Sequence, residues 1–382
     1  MNVVFVSNYI NHHQIPLSQE LNQYCLKDGG SYYFIQVEEM EQERVEMGWD
    51  KALQDNSFLL SYFEDARRCQ SLIDEADVVI FGGIEDVSYI KNRLKDNKCV
   101  WRYCERLYRT GRYKFITPRG LLRKFKDHTQ YAFRKNYLLC SGGYVAGDFR
   151  MVGAYPGKKF KFGYFPEFIE YDVEQLFLRK SGQTSGKVMI FWAARMIALK
   201  HPEDVVLLAK KLKERNCNFE VQMAGGGVLE SDIRELIKLH NLDDCVKMLG
   251  FLSPQNTRRK MEEADIFLAT SGVLEGWGAV INEAMNSACV VIANKKMGAV
   301  PYLMKDRYNG IVYGNLMKES VLHQIEEVIT DKELRRSYSE NAYDTIKGSW
   351  NAPVAANRLY KAMKASVQER KIPCFVEGPL SK

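Results

Sequence analysis

Short apolar runs punctuate the chain, separated by polar stretches with apolar positions at helical spacing. Residues 2–6, 31–37, 77–81, 99–103 and 137–140 are each brief, mostly apolar and bounded by loop-forming residues, which reads as buried strands. Residues 16–23 and much of the interval between 37 and 77 carry the helical pattern, and F-G-Y-F-P-E at 162–167 reads as a last extended segment. The pattern then turns polar, with S-G-Q-T-S-G at 181–186 as a linker within 171–186. It restarts with strands at 187–193, 219–224, 246–249, 264–270, 290–293 and 308–312, alternating with helices at 202–215, 231–239 and 279–287 and followed by one at 332–347. Repeated strand-then-helix order predicts an α/β chain built on parallel sheets with helices on their faces.

The stretch 271–301 carries the most specific chemistry. A strand ends in hydroxyl residues, Gly276-Trp277-Gly278 supplies backbone without bulk, and a helix is predicted at 279–287. Glu275 stands at the mouth of that helix, where unpaired N–H groups and the positive end of the dipole favour a phosphate. Glu283 follows about two turns further in. In open parallel sheets, nucleotides bind in the crevice at the carboxyl ends of the strands, where a carboxylate accepts hydrogen bonds from sugar hydroxyls. The polar loop after the first strand, S-N-Y-I-N-H-H-Q, offers Asn11 and His13 for acceptor or donor-sugar contacts; the alternative is a loop whose histidines satisfy only local backbone. Gly225-Gly226-Gly227 is an incomplete dinucleotide fingerprint, and backbone freedom beside a nucleotide accounts for it.

Two glutamates eight positions apart, in E-G-W-G and E-A-M, resemble the signature of glycosyltransferase family 4, including its bacterial polysaccharide-biosynthesis members. The resemblance implies two facing Rossmann-like domains, the GT-B fold. An N-terminal acceptor domain would span 1–170, completed by a C-terminal helix within 351–382, and a nucleotide-sugar domain would span 187–350. It implies that Glu275 meets the donor sugar and Glu283 the ribose, with Gly276, Trp277, Gly278 and Gly225 close to the donor. Arg195 and Lys200 resemble the family's basic pair against the donor diphosphate, and Phe251-Leu252 its strand end where backbone groups meet the base. His13 joins Glu275, Arg195 and Lys200 as the catalytic candidates. Val290 stands where the family usually has proline, and Met297-Gly298 where it often has a glycine pair.

The implied reaction is transfer of a sugar, with retention, from a nucleotide diphosphate donor, a UDP-sugar first, to a glycan or lipid-linked glycan. No cofactor and no metal are expected: fixed cations stabilise a leaving diphosphate, and the chain has no D-x-D between strands of the metal-dependent kind. Two other readings stand beside it, a sugar-nucleotide epimerase of the same fold and a non-catalytic sugar-nucleotide-binding scaffold.

Composition adds location and partners. At 382 residues, 46% hydrophobic and 27% charged, the chain reads as an ordinary globular protein of two domains. The first residues form a strand pattern rather than a signal peptide, and no run approaches the ~20 apolar residues of a spanning helix, so a cytoplasmic protein is expected. Nine cysteines without C-x-x-C spacing suggest neither a disulfide framework nor a zinc site. The net charge of +6 is unevenly distributed: Arg102, Arg106, Arg109, Arg112, Lys114, Arg119, Arg123, Lys124 and Lys126 mix with large apolar residues and are opposed chiefly by Glu105. This segment, 102–126, reads first as a surface for anionic lipid, placing the protein peripherally on the inner face of the plasma membrane; RNA binding is the rival reading, a solvated charged face is the plain alternative, and a nucleic-acid partner is not expected.

Overall fold

The computed structural model describes residues 1–42, 56–108, 117–183 and 186–382. The chain divides into two compact units, Met1–Glu167 with Ser349–Lys382, and Phe168–Gly348. Arg109, Arg112 and Lys114 of the basic segment lie outside the described residues, as do 184 and 185 of the expected linker and 43–55 of the helical pattern.

In the first unit seven strands form one parallel sheet: β1 (Val3–Ser7), β2 (Tyr32–Gln36), β3 (Leu59–Ser61), β4 (Val78–Gly82), β5 (Cys99–Cys104), β6 (Asn136–Ser141) and β7 (Lys159–Phe162). Their order is β3-β2-β1-β4-β5-β6-β7. β1 and β4 are buried at every position, because helices on both faces leave a central parallel strand no wet side. The sheet order reverses between β1 and β4, which pair Val3 with Val78, so the loop that carries Asn11 and His13 opens at this reversal.

The helix Ala352–Val367 belongs to this unit and packs on the helix Ile15–Lys27. Tyr360 stacks on Tyr24 and donates to Asp28, which also pairs with Lys364 at 2.8 Å. β3, too short for a periodicity signal, was not expected. The segment expected to be extended at 162–167 is strand only at Phe162, because Gly163 and Pro166 end the ladder. The strand is instead the K-F-K-F alternation of β7, paired to β6 from Leu138–Lys159 onward.

The second unit holds the six-stranded parallel sheet β10-β9-β8-β11-β12-β13, with β8 (Val188–Ala193), β9 (Phe219–Ala224), β10 (Val246–Gly250), β11 (Ile266–Ala269), β12 (Val290–Asn294) and β13 (Gly310–Tyr313). Here the reversal falls between β8 and β11, paired at Ile190–Ile266. The stretch expected as linker carries a helix, Val173–Gln183, grouped with this unit and anchored by Lys180, whose buried ammonium donates to the Ala264 and Met261 carbonyls. Helices Pro254–Glu263 and Glu319–Thr330 were also absent from the periodicity reading; the first is dominated by polar residues, T-R-R-K-M-E-E, and buries only Met261. Among the described residues, no helix is long and apolar enough to cross a membrane.

Two arginines of the basic segment do not face outward. Arg102, on β5, is buried against the Phe81 ring at 5.0 Å and donates to the Asp127 carbonyl; β5 is a central strand covered on both faces, so neither side of it meets water. Arg106 lies over Tyr144 and pairs with buried Asp148 at 3.5 Å.

A second buried arginine, Arg93, donates to the Ile73 and Ala76 carbonyls at 2.8 and 2.7 Å and to that of Cys99 at 3.0 Å. It satisfies carbonyls that the helix Ala66–Glu75 leaves without intrahelical partners, and ties that helix end to the start of β5. Burial pulls its pKa down. Arg93→Met keeps the apolar stem and strands these acceptors, so chemical denaturation should register a loss of about 3 kcal/mol or more in the first unit.

Candidate active site

The site is assembled by loops at the β8/β11 reversal. After β8 the chain runs through Ala194, Arg195 and Met196, and this segment is stitched sideways to the loop after β9. Ala194 N–H donates to the Ala224 carbonyl and Met196 N–H to that of Gly226, while Gly225 N–H reaches the Gly250 carbonyl at 2.8 Å. Gly225 has a φ of +131°, and a Cβ there would lie 1.9 Å from the Ala194 carbonyl oxygen, so the contact admits only glycine. Gly225 therefore acts on the site by setting the path of the chain that carries exposed Arg195.

Lys200 is fixed from beneath. The buried Trp192 indole donates to Thr270 Oγ1 at 2.9 Å, and Thr270 donates in turn to the Lys200 carbonyl. Gly272 N–H adds a bond to the Leu199 carbonyl. The loop after β11 is thus bound to the loop after β8, and Lys200 Nζ forms a partly buried ion pair with Glu275 Oε2. His201 follows in the left-handed region at φ 48°, its Nδ1 3.1 Å from Glu203, and Pro202 opens the helix Pro202–Glu214. In that first turn burial raises the Asp204 carboxyl, and Glu203 adds to the rise.

Glu275 closes a turn through its N–H to the Gly272 carbonyl. The helix expected at 279–287 runs Val280–Asn286, beginning five positions beyond Glu275. At under two turns it supplies little dipole, so the positive charge beside Glu275 comes chiefly from Lys200. Trp277 is buried, with its indole N–H on Asn282 Oδ1 at 2.8 Å. Its carbonyl accepts from the Ala299 N–H. Gly298 packs so closely that a Cβ would lie 1.8 Å from the Gly276 carbonyl oxygen.

Glu283 projects from the helix Val280–Asn286, and Arg258 attends it: Nη2 lies 3.7 Å from Glu283 Oε1, while Nη1 donates to the Asn286 side chain at 3.0 Å. Arg258 is the residue that the sequence reading missed. Its helix, Pro254–Glu263, starts with Ser253 accepting from the Asn256 N–H and Pro254 in the first turn, a start signal that could have placed it. Beyond β10, Phe251 is exposed and Leu252 half-buried. His13 lies in the other unit, its N–H on Asn11 Oδ1 at 3.0 Å and its ring beside that of His12.

A parallel sheet of order 3-2-1-4-5-6, with paired cations and carboxylates at its reversal, defines a nucleotide-binding α/β unit, and two such units define the class. The chain has the GT-B fold of glycosyltransferases. It aligns over 96% of its length with all of Anabaena Alr3699/HepE in complex with UDP, at TM-score 0.73 and 13% identity. It aligns equally far with 98% of a glycosyltransferase from Rickettsia africae, at TM-score 0.69 and 15% identity.

Residues 174–345 match the family described as Glycosyl transferases group 1. The chain is 31% identical over 126 residues to the amylovoran biosynthesis glycosyltransferase AmsK of Erwinia amylovora, covering 32% of this chain and 31% of that one. It is 25% identical over 153 residues to the N-acetylgalactosamine-N,N'-diacetylbacillosaminyl-diphospho-undecaprenol 4-alpha-N-acetylgalactosaminyltransferase of Campylobacter jejuni, covering 40% and 41%. The matched stretches amount to about a third to a half of these curated relatives.

Gly298→Ala should lower the thermal midpoint sharply, since backbone rather than a yielding side chain meets the new methyl. Gly147→Ala, in open space within the helix Val145–Met151, should leave it unchanged or raise stability by about 0.4–1 kcal/mol. Scanning fluorimetry of the two variants checks both.

Proposed function

We propose that this chain is a retaining, metal-independent glycosyltransferase of the family 4 kind, moving a hexose from a UDP-sugar to a glycan or lipid-linked glycan. The observation that carries the reading is the junction at the β8/β11 reversal, where the loop bearing Arg195 and Lys200 is bonded to the loop bearing Glu275. The UDP bound in the Anabaena neighbour supports the choice of nucleotide, and the diphospho-undecaprenol in the Campylobacter relative's name supports a lipid-linked acceptor.

In this reading Arg195 and Lys200 hold the donor diphosphate and stabilise the charge that grows on it as the glycosidic bond breaks. Glu283, oriented by Arg258, accepts from the ribose hydroxyls, and the Gly276-Trp277-Gly278 backbone, with Phe251 and Leu252, borders the nucleotide. Glu275 orients the donor sugar and assists it electrostatically. The acceptor hydroxyl attacks from the face that the diphosphate leaves, and the departing phosphate takes its proton, so configuration is retained without a separate base. His13 contributes on the acceptor side.

Titration calorimetry with UDP and with uridine tests the assignment. Lys200→Met should weaken UDP by about 10–100-fold, the worth of one charge-assisted hydrogen bond, and leave uridine within about twofold. Equal losses for both would remove Lys200 from the diphosphate. Glu283→Gln should weaken both ligands, whereas Glu275→Gln should keep UDP affinity and lose transfer. Donor turnover in the absence of any acceptor would instead establish an epimerase.

A further inference from the structure

His201 stands between Lys200 and Pro202 in a conformation that another residue would hold more easily. Its backbone is left-handed, φ 48° and ψ 55°, which is unfavourable for a residue with a Cβ, and a residue before proline is otherwise pushed toward extended backbone. Where the chain needs a left-handed residue between a helix and the next strand it uses Asn97, Asn216 and Asn241, the type that bears it best after glycine. His201 also precedes the helix Pro202–Glu214 without capping it, at a position where Asn, Asp or Ser would accept an N–H. Both partners of its ion pair with Glu203 are 42% exposed, and a pair so open to water returns less than the conformation costs. Local stability therefore does not account for this residue.

The ring turns toward the junction of the two loops. A Cβ on Gly272 would lie 2.9 Å from His201 Nε2 and 3.5 Å from Cδ2, so the imidazole occupies space that only a glycine leaves open. Gly272 donates its N–H to the Leu199 carbonyl and accepts the Glu275 N–H. Nε2 thus lies where the loop bearing Lys200 meets the turn bearing Glu275. With Nδ1–H on the Glu203 carboxylate, Nε2 is the nitrogen left for a ligand, and in the imidazolium form it donates. The charged groups around the ring are Glu203 and Asp204 on its own helix, Lys200 before it and Glu275 across the turn.

We propose that His201 is a third ligand of the donor diphosphate, its Nε2–H donating to a phosphate oxygen beside Lys200. Two phosphate groups carry more acceptor oxygens than one arginine and one lysine fill, and a charged donor on the same loop adds to their hold without moving another element. The left-handed backbone keeps the ring at the junction, and its strain is maintained for that contact. The inference rests on the reading of this junction as the diphosphate site, and the experiment separates the two.

The full chain is titrated with UDP and with uridine by calorimetry, and its thermal midpoint is read without ligand. His201→Asn should weaken UDP about 10-fold, the worth of one charge-assisted hydrogen bond, and leave uridine within about twofold. The same variant should hold or raise the midpoint, because asparagine suits a left-handed N-cap. Gly272→Ala keeps the imidazole but displaces it: Gly272 is not left-handed and the new methyl meets only the ring, so the fold should stand while UDP weakens by a similar factor.

Lys200→Met is the reference. UDP weakened by Lys200→Met but not by His201→Asn overturns the proposal and leaves the diphosphate reading in place. UDP weakened by His201→Asn but not by Lys200→Met supports the proposal and removes Lys200 from the diphosphate, and UDP unaffected by either overturns both. Equal losses of UDP and uridine in His201→Asn, or a lowered midpoint alongside the loss, would also overturn it, since His201 would then serve only to shape the loop.

Discussion

The reversal of strand order between β8 and β11 is the constraint from which the candidate site follows. Parallel crossovers are right-handed, so the helices after two strands that lead away in opposite directions cover opposite faces of the sheet. The loops between those strands and helices are left side by side with nothing packed over them. In this chain the opening is braced internally: Trp192 donates to Thr270 and Thr270 to the Lys200 carbonyl, so the two loops meet through buried hydrogen bonds. The first unit repeats the constraint at β1 and β4, and the loop bearing His13 opens there.

Four charged side chains of the candidate site are held in two pairs. Lys200 rests on Glu275 and Arg258 beside Glu283, each pair partly withdrawn from water. A withdrawn pair interacts more strongly than an exposed one, yet neither partner regains all of its lost hydration. In the proposed reading, an arriving diphosphate would offer Lys200 a second anion without requiring a large rearrangement of the loop that carries it. The pairing also compensates the partly buried Glu275 carboxylate, so substitution of Lys200 alone should disturb Glu275 as well.

Much of this was legible in the chain. The alternation of short apolar runs with helical spacing gave both parallel sheets, because central parallel strands are buried on both faces and read as unbroken apolar segments. The E-G-W-G and E-A-M groups located Glu275 and Glu283, since both lie on one local strand-loop-helix connection. What stayed hidden depended on long-range placement. Arg93, Arg102 and Arg106 look like surface charge in a list of basic residues, and only the sheet shows that they turn inward onto carbonyls, Phe81 and Asp148. Arg258 sits in a nearly all-polar helix with almost no apolar periodicity. The edge strand Leu59–Ser61 is too short to carry a period at all.

A crystal structure of the chain with UDP tests the central claim most directly. The diphosphate should lie at the β8/β11 reversal within hydrogen-bonding distance of Lys200 and Arg195, with the ribose hydroxyls on Glu283. UDP bound away from that reversal, or bound there with Lys200 still on Glu275 and its phosphates turned from both cations, would contradict it.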